Sequence, residues 1–232
     1  MMMLKLKNVA FSYPDQEVLT HINLTISAGE LVGVIGESGS GKSTLMDLIL
    51  GELHPVQGVI ESDTERILPI FQQATQSFNP RQQLRTAIEE PLKYYANAEY
   101  SFDQIVLPLM KKLDLDTTLL NRYPDQVSGG QLQRFNVLRT VMLQPDILIC
   151  DEITASLDVI AERKLIDILK NIHKEQKSTM IIISHDIAVL YQIVDRMIVL
   201  NHGTIVDDFK AKDIFSAERD DYTKSLIDVY QE

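Results

Sequence analysis

Gly36-Glu37-Ser38-Gly39-Ser40-Gly41-Lys42-Ser43-Thr44 constrains this 232-residue chain more than any other stretch. Gly36, Gly41, Lys42 and Ser43 satisfy the pattern G-x-x-x-x-G-K-[ST], with Gly39 as an extra glycine inside it. Glycines let a backbone wrap an anion so that successive N–H groups point inward. A helix starting at the end of such a loop turns its positive N-terminus to the same anion. Lys42 can reach the β- and γ-phosphates of a nucleotide, and the Ser43 hydroxyl can ligate Mg²⁺. The context agrees: Glu30 to Ile35 is a short apolar run of buried-strand type, and Ser43 to Leu50 has helical spacing closed by Gly51. The bland alternative, a flexible Gly/Ser loop, accounts for the glycines but not for this strand–loop–helix setting.

A phosphate loop of this kind needs an acidic partner at a strand end. Ile147-Leu148-Ile149-Cys150-Asp151-Glu152 supplies it: an apolar strand ending in two carboxylates. Asp151 is placed to hold Mg²⁺, and Glu152 to polarise an attacking water. Taken alone, such a run is a strand meeting solvent; the phosphate loop gives it a function. Cys150 reads as a small buried hydrophobe rather than a reactive thiol.

Val127-Ser128-Gly129-Gly130-Gln131-Leu132-Gln133-Arg134 joins a serine, a glycine pair and a helix start. That makes a second anion-binding nest before the Asp-Glu strand. A single nucleotide already has a cradle, so the second one implies two subunits sharing a nucleotide. A plain N-cap by Ser128 explains the serine and leaves the rest of the octet unexplained.

Composition narrows the partners. A hydrophobic share of 45% and a charged share of 24% are those of a globular chain able to bury a sizeable core. A net charge of −11 argues against nucleic acid, whose binding is driven by basic residues. With one cysteine, no disulfide forms within the chain, and the five histidines show no close ligand spacing. The N-terminus has no signal-peptide layout, and no apolar run is long enough to span a bilayer.

Strands are expected over 4–9 and 18–26 around a turn at Ser12–Asp15, then one or two between Val59 and Ile70 about a charged bend. Residues 84–123 read as a helical lobe. Helices are expected over Gln131–Leu143, Ile160–Glu175 and Asp186–Val194, strands at Ile147–Cys150 and Met180–Ser184, and a strand pair at Met197–Asn201 and Gly203–Val206. Alternation of this kind implies an α/β fold with a mainly parallel sheet.

Here the chain resembles the ABC transporter ATPases over essentially its full length. VSGGQLQR is similar to the family's LSGGQ signature, and Asp151-Glu152 to its Mg²⁺ aspartate and catalytic glutamate. Ser156-Leu157-Asp158 resembles its D-loop, Ile183-Ser184-His185-Asp186 its switch-histidine segment, and Gln72 the glutamine of its Q-loop. Tyr13 sits where the family places an aromatic that stacks on adenine; it could equally be a turn aromatic. His185 could be an ordinary strand-end histidine, and Asp158 a helix cap. Two departures, Ile153 in place of proline and Val127 in place of leucine, remove no chemical group.

The resemblance implies a P-loop NTPase (RecA-like) core with an antiparallel β subdomain and an inserted helical subdomain. It divides the chain into a core with its β subdomain at 1–73 and 141–208, a Q-loop and helical part at 74–140, and a tail at 209–232. It implies ATP and Mg²⁺ as ligands, with Mg²⁺ held by Ser43, Gln72 and Asp151. It implies a head-to-tail ATPase pair, in which Ser128, Gly129, Gly130 and Gln131 act on the partner's ATP and Asp158 contacts the opposite subunit. The pair is expected to be a heterodimer in the cell, and a homodimer or monomer in isolation. Two permease subunits, a cytoplasmic membrane-face location and an extracellular solute-binding protein follow from the same likeness.

Ser77-Phe78-Asn79-Pro80-Arg81 and Asp221-Tyr222-Thr223-Lys224-Ser225-Leu226 resemble elements of the peptide/opine/nickel importer subfamily. The wording of FQQATQSFNP and LICDEITASLDVIAE is most similar to nickel-import ATPases, so nickel is the expected cargo. Peptide and metal–metallophore import are the alternatives, and a soluble non-transport ABC ATPase is a more distant one. Phe78 is expected either to pack at a groove for a permease helix or to anchor its own loop.

Overall fold

The computed structural model describes residues 2–95, 102–155 and 157–229. Part of the expected helical lobe, Ser156 of the D-loop segment and the end of the tail lie outside them. Among the described residues two sheets form. Strands β1 (Met2–Tyr13), β2 (Gln16–Ser27) and β4 (Gln57–Ser62) make an antiparallel sheet of order β2-β1-β4. Strands β3 (Leu31–Ile35), β5 (Ile67–Ile70), β6 (Ile147–Asp151), β7 (Thr179–Ile183), β8 (Arg196–Asn201) and β9 (Thr204–Lys210) make the larger sheet, of order β5-β6-β7-β3-β8-β9. All its pairs are parallel except β8 with β9.

The periodicity of each strand matches its place. In β2 burial alternates, because one face meets the core and the other solvent. In β3 and β7 every residue is buried, as expected of parallel strands covered on both faces. Alternate residues of the large sheet still go to different cores. Val32, Val34, Ile147, Ile149, Ile181 and Ile183 pack with the antiparallel sheet and with helix α1 (Lys42–Leu50). Leu148, Cys150, Met180 and Ile182 belong to the other core. That core also takes residues from the helices α2 (Leu84–Tyr95), α3 (Phe102–Lys112), α4 (Gly129–Val141), α5 (Val159–Gln176), α6 (Ile187–Ile193) and α7 (Asp221–Val229).

Several boundaries differ from the sequence reading, each for a local reason. Helix α4 begins at Gly129, not Gln131, because Ser128 is its N-cap: Ser128 Oγ accepts from the Gln131 N–H, and Gln131 Oε1 from the Ser128 N–H. The stretch from Val59 to Ile70 divides between the two sheets. Strand β9 continues to Lys210, past the expected start of the tail at 209, because Phe209 is buried and pairs with Met197. No helix among the described residues is long and apolar enough to cross a membrane.

Candidate functional site

Strand β3 delivers the chain to Gly36 in a passage that only glycine fits. A Cβ there would lie 2.2 Å from the Leu200 carbonyl oxygen and 2.6 Å from Ser40 Oγ. Gly41, at φ 105°, closes the loop; a Cβ on it would sit 2.7 Å from Leu19 Cδ2. Helix α1 then starts at Lys42. The Lys42 ammonium donates to the Gly36 carbonyl at 2.7 Å and to the Glu37 carbonyl at 2.8 Å. Burial pushes its pKa below the usual lysine value, against the opposing pull of Glu152, Asp151 and Glu37. Ser40 Oγ is buried and has no hydrogen-bond partner among the described residues.

Asp151 ends β6 beside this loop. Burial holds its carboxyl above the ordinary value and Glu152 adds to the rise, while Lys42 works against it. Glu152 follows in the left-handed region, at φ 44°, with its N–H donating to the Ile183 carbonyl at 2.9 Å. Such a backbone costs on the order of 1 kcal/mol for a non-glycine residue and recurs at functional sites. The Glu152 carboxylate meets two groups from separate segments. Gln72 Nε2 donates to Oε2 at 3.1 Å, and His185 Nδ1 lies 3.3 Å from Oε1.

Ser38, Gly39, Gly41, Lys42, Ser43, Thr44, Glu152 and His185 line one cavity of about 460 Å³. Sequence reasoning missed two further lining residues, Gln16 and Val18 of β2. Their nearness to Tyr13 in sequence was the available signal. Tyr13 itself does not line this cavity. It is 45% exposed, with its ring edge-to-face against Phe11 at 5.0 Å.

The donor set suits a magnesium nucleotide. A loop closed by glycines at Gly36 and Gly41, the N-terminus of α1 and Lys42 in the cavity lining make an anion cradle. The Ser43 hydroxyl and the Asp151 carboxylate offer the hard oxygen donors Mg²⁺ takes.

Ser128, Gly129, Gly130, Gln131 and Asp158 do not line this cavity. They sit at the N-termini of α4 and α5, where Asp158 Oδ1 accepts from the N–H groups of Ile160 at 3.0 Å and Ala161 at 2.9 Å. The two ends are adjacent: a Cβ on Gly130 would lie 3.7 Å from Ala161 Cβ. A Cβ on Gly129 would meet nothing within 4 Å among the described residues beyond its own helix. Phe78 is 4% exposed and belongs to the core, so it anchors its loop rather than presenting a ring to a partner. The Arg139 guanidinium lies 5.6 Å from its ring centre.

The fold, the phosphate loop and the carboxylate strand define an ATP-hydrolysing cassette. The model of the ABC transporter family matches residues 19–155, and the chain belongs to that family. It is 47% identical over 231 residues to the nickel import system ATP-binding protein NikE of Staphylococcus aureus strain USA300, covering 98% of this chain and 99% of that one. Among solved structures it is similar to cbiO1 of Clostridium perfringens, part of the ABC transporter complex cbiONQ. The TM-score is 0.83 at 25% identity, over 94% and 92% of the two chains. It is also similar to the dimeric cassette MJ0796 in a post-hydrolysis state bound to ADP and Pi, with a TM-score of 0.79 at 29% identity, over 90% and 99%.

Proposed function

We propose that this chain hydrolyses ATP as one of two cassettes driving a membrane importer whose cargo is nickel. Glu152 and His185 line the phosphate-loop cavity and Gln72, outside its lining, holds the Glu152 carboxylate; this arrangement carries the catalytic part of the reading. The 47% identity to a nickel-import ATPase over nearly the whole of both chains supports the cargo.

In this reading N–H groups of the loop from Gly36 to Thr44 other than that of Glu37, which Tyr222 engages, hold the phosphates, and Lys42 moves from the loop carbonyls to the β- and γ-oxygens. Ser43 and Asp151, with Gln72, would hold Mg²⁺, which supplies neutralisation of the phosphate charge. Glu152 polarises the attacking water, oriented by Gln72 on one oxygen. His185 on the other oxygen reports the γ-phosphate, which its imidazole can reach as a donor. Tyr13 offers an exposed ring for the adenine.

Ser128, Gly129, Gly130 and Gln131 serve the ATP of a second cassette, and Asp158 meets that subunit alongside them. The open space at Gly129 supports this, since nothing among the described residues requires a glycine there. The dimeric relative supports a paired arrangement, and the subfamily likeness of the 77–81 and 221–226 segments favours a heterodimer. A groove of about 580 Å³ beside α2 and α4, lined by Phe71, Pro91, Asn136, Arg139 and Leu143 among others, suits a cytoplasmic helix of a permease subunit. In this reading the chain works at the cytoplasmic membrane face, with a solute-binding protein outside.

Uptake of radioactive nickel by cells carrying the parent gene or Lys42→Ala tests the whole reading. Loss of nickel uptake with Lys42→Ala is the expected result. Unchanged nickel uptake with lost dipeptide uptake would move the cargo to peptides.

A further inference from the structure

The C-terminal segment reaches the phosphate loop. At the end of β9 the Arg219 guanidinium lies 4.2 Å from the centre of the Phe209 ring and donates to Asp207 Oδ1 at 3.0 Å. The Asp220 N–H donates to Asp207 Oδ2 at 2.9 Å. Asp220 in turn accepts from the Tyr222 N–H at 2.8 Å, which starts α7. Thr223 is fully buried and Ile227 nearly so, so α7 is seated on the core. The seat directs Tyr222 onto the loop: its hydroxyl oxygen accepts a hydrogen bond from the Glu37 N–H at 3.1 Å, across 185 residues of sequence.

Glu37 is thereby held at both ends. Its N–H goes to Tyr222, and its carbonyl accepts from Lys42 at 2.8 Å. The peptide joining Gly36 to Glu37 adjoins the most permissive residue type, and rotation there would turn loop groups away from an anion. We propose that Tyr222 is a positioning residue for nucleotide binding, a latch through which α7 keeps the phosphate loop in its anion-receiving form. The bond needs a residue with an N–H at position 37; a proline there would have none to give. The latch fixes the loop before ATP arrives, so affinity gains because less order is lost on binding. This rests on the reading of the loop as the ATP site.

The test compares the full-length parent, Tyr222→Phe, Leu226→Ala and Lys42→Ala, with ATP affinity measured by calorimetry and stability by thermal melting. Tyr222→Phe keeps the ring and deletes only the hydroxyl. Its Kd for ATP should rise about three- to tenfold, the loss of one hydrogen bond, with Tm within about 2 °C of the parent. Amide hydrogen exchange over residues 36–44 should be faster. Leu226→Ala loosens α7 without touching the hydroxyl, so Tm should fall with a smaller change in Kd. An unchanged Kd and unchanged loop exchange in Tyr222→Phe would overturn the latch. So would an equal loss of Tm and of affinity in the Tyr222 and Leu226 variants, which marks general loosening of the helix. Failure of the parent to bind ATP, with no effect of Lys42→Ala, would instead sink the assignment of the ATP site.

Discussion

Gln72 and Glu152, 80 residues apart in sequence, share a hydrogen bond of 3.1 Å from the Gln72 amide to a carboxylate oxygen. It ties the segment after β5 to the segment after β6, two strands that are parallel neighbours in the large sheet. The segment entering the helical part of the chain therefore touches the same carboxylate that faces the phosphate-loop cavity. A displacement at the groove containing Phe71 has a one-residue path to this contact.

Replacing Glu152 by Gln should lower phosphate release by about 100-fold or more, the usual range for losing a general base. The amide keeps the volume and can still accept from Gln72, so ATP binding should persist. Chromatography with ATP should then show a longer-lived dimer. Turnover at the parent rate would remove Glu152 from the reaction.

Two glycines should respond in opposite ways to alanine. Gly36→Ala forces a Cβ to within 2.2 Å of a backbone oxygen, so the fold should lose about 2–4 kcal/mol, read by denaturant unfolding. Gly129→Ala enters open space in the first turn of α4, where alanine is the better helix former. Its Tm should hold or rise slightly while ATPase activity of the assembled pair falls.

Asp151→Asn should separate stability from activity. The folded-state pKa of Asp151 lies above its ordinary value, so its ionised form costs stability at neutral pH, and the cost fades as pH falls through that raised pKa. The variant should therefore melt higher than the parent at pH 7, with the gap closing in acid, while hydrolysis is lost. An unchanged Tm difference between pH 7 and pH 3 would contradict this origin.

Cys150 is fully buried and burial pushes its thiol up to about 12. At pH 8 the folded protein should resist a thiol-reactive chromophore for hours and react fully in denaturant. Prompt reaction in the native state would show that β6 opens readily.

The phosphate loop, the Asp-Glu strand end and Ser128 as a candidate cap were legible from sequence because each is a local device, although the reading started α4 two residues late, at Gln131. Residues adjacent in the chain supply the glycine freedom, the lysine and the cap. The same locality made the end of β9 hard to see: Phe209 is polar-flanked in sequence, and only the fold puts it in the larger core, with Arg219 over its ring. Phe78 was ambiguous for a related reason. An aromatic in a polar loop reads equally as an exposed anchor or a core residue, and the packing against α4 decides it.

The sequence by itself determined the chemistry available, since anion cradles, metal-seeking carboxylates and helix caps depend on residue type at short spacing. Only the tertiary structure decided which remote groups meet. Glu152 receives Gln72 and His185 because β5, β6 and β7 are parallel neighbours in one sheet. Glu37 receives Tyr222 because burial of Thr223 and Ile227 seats a C-terminal helix beside the loop. Contacts of this kind depend on strand order and on shared cores, which no spacing along the chain encodes.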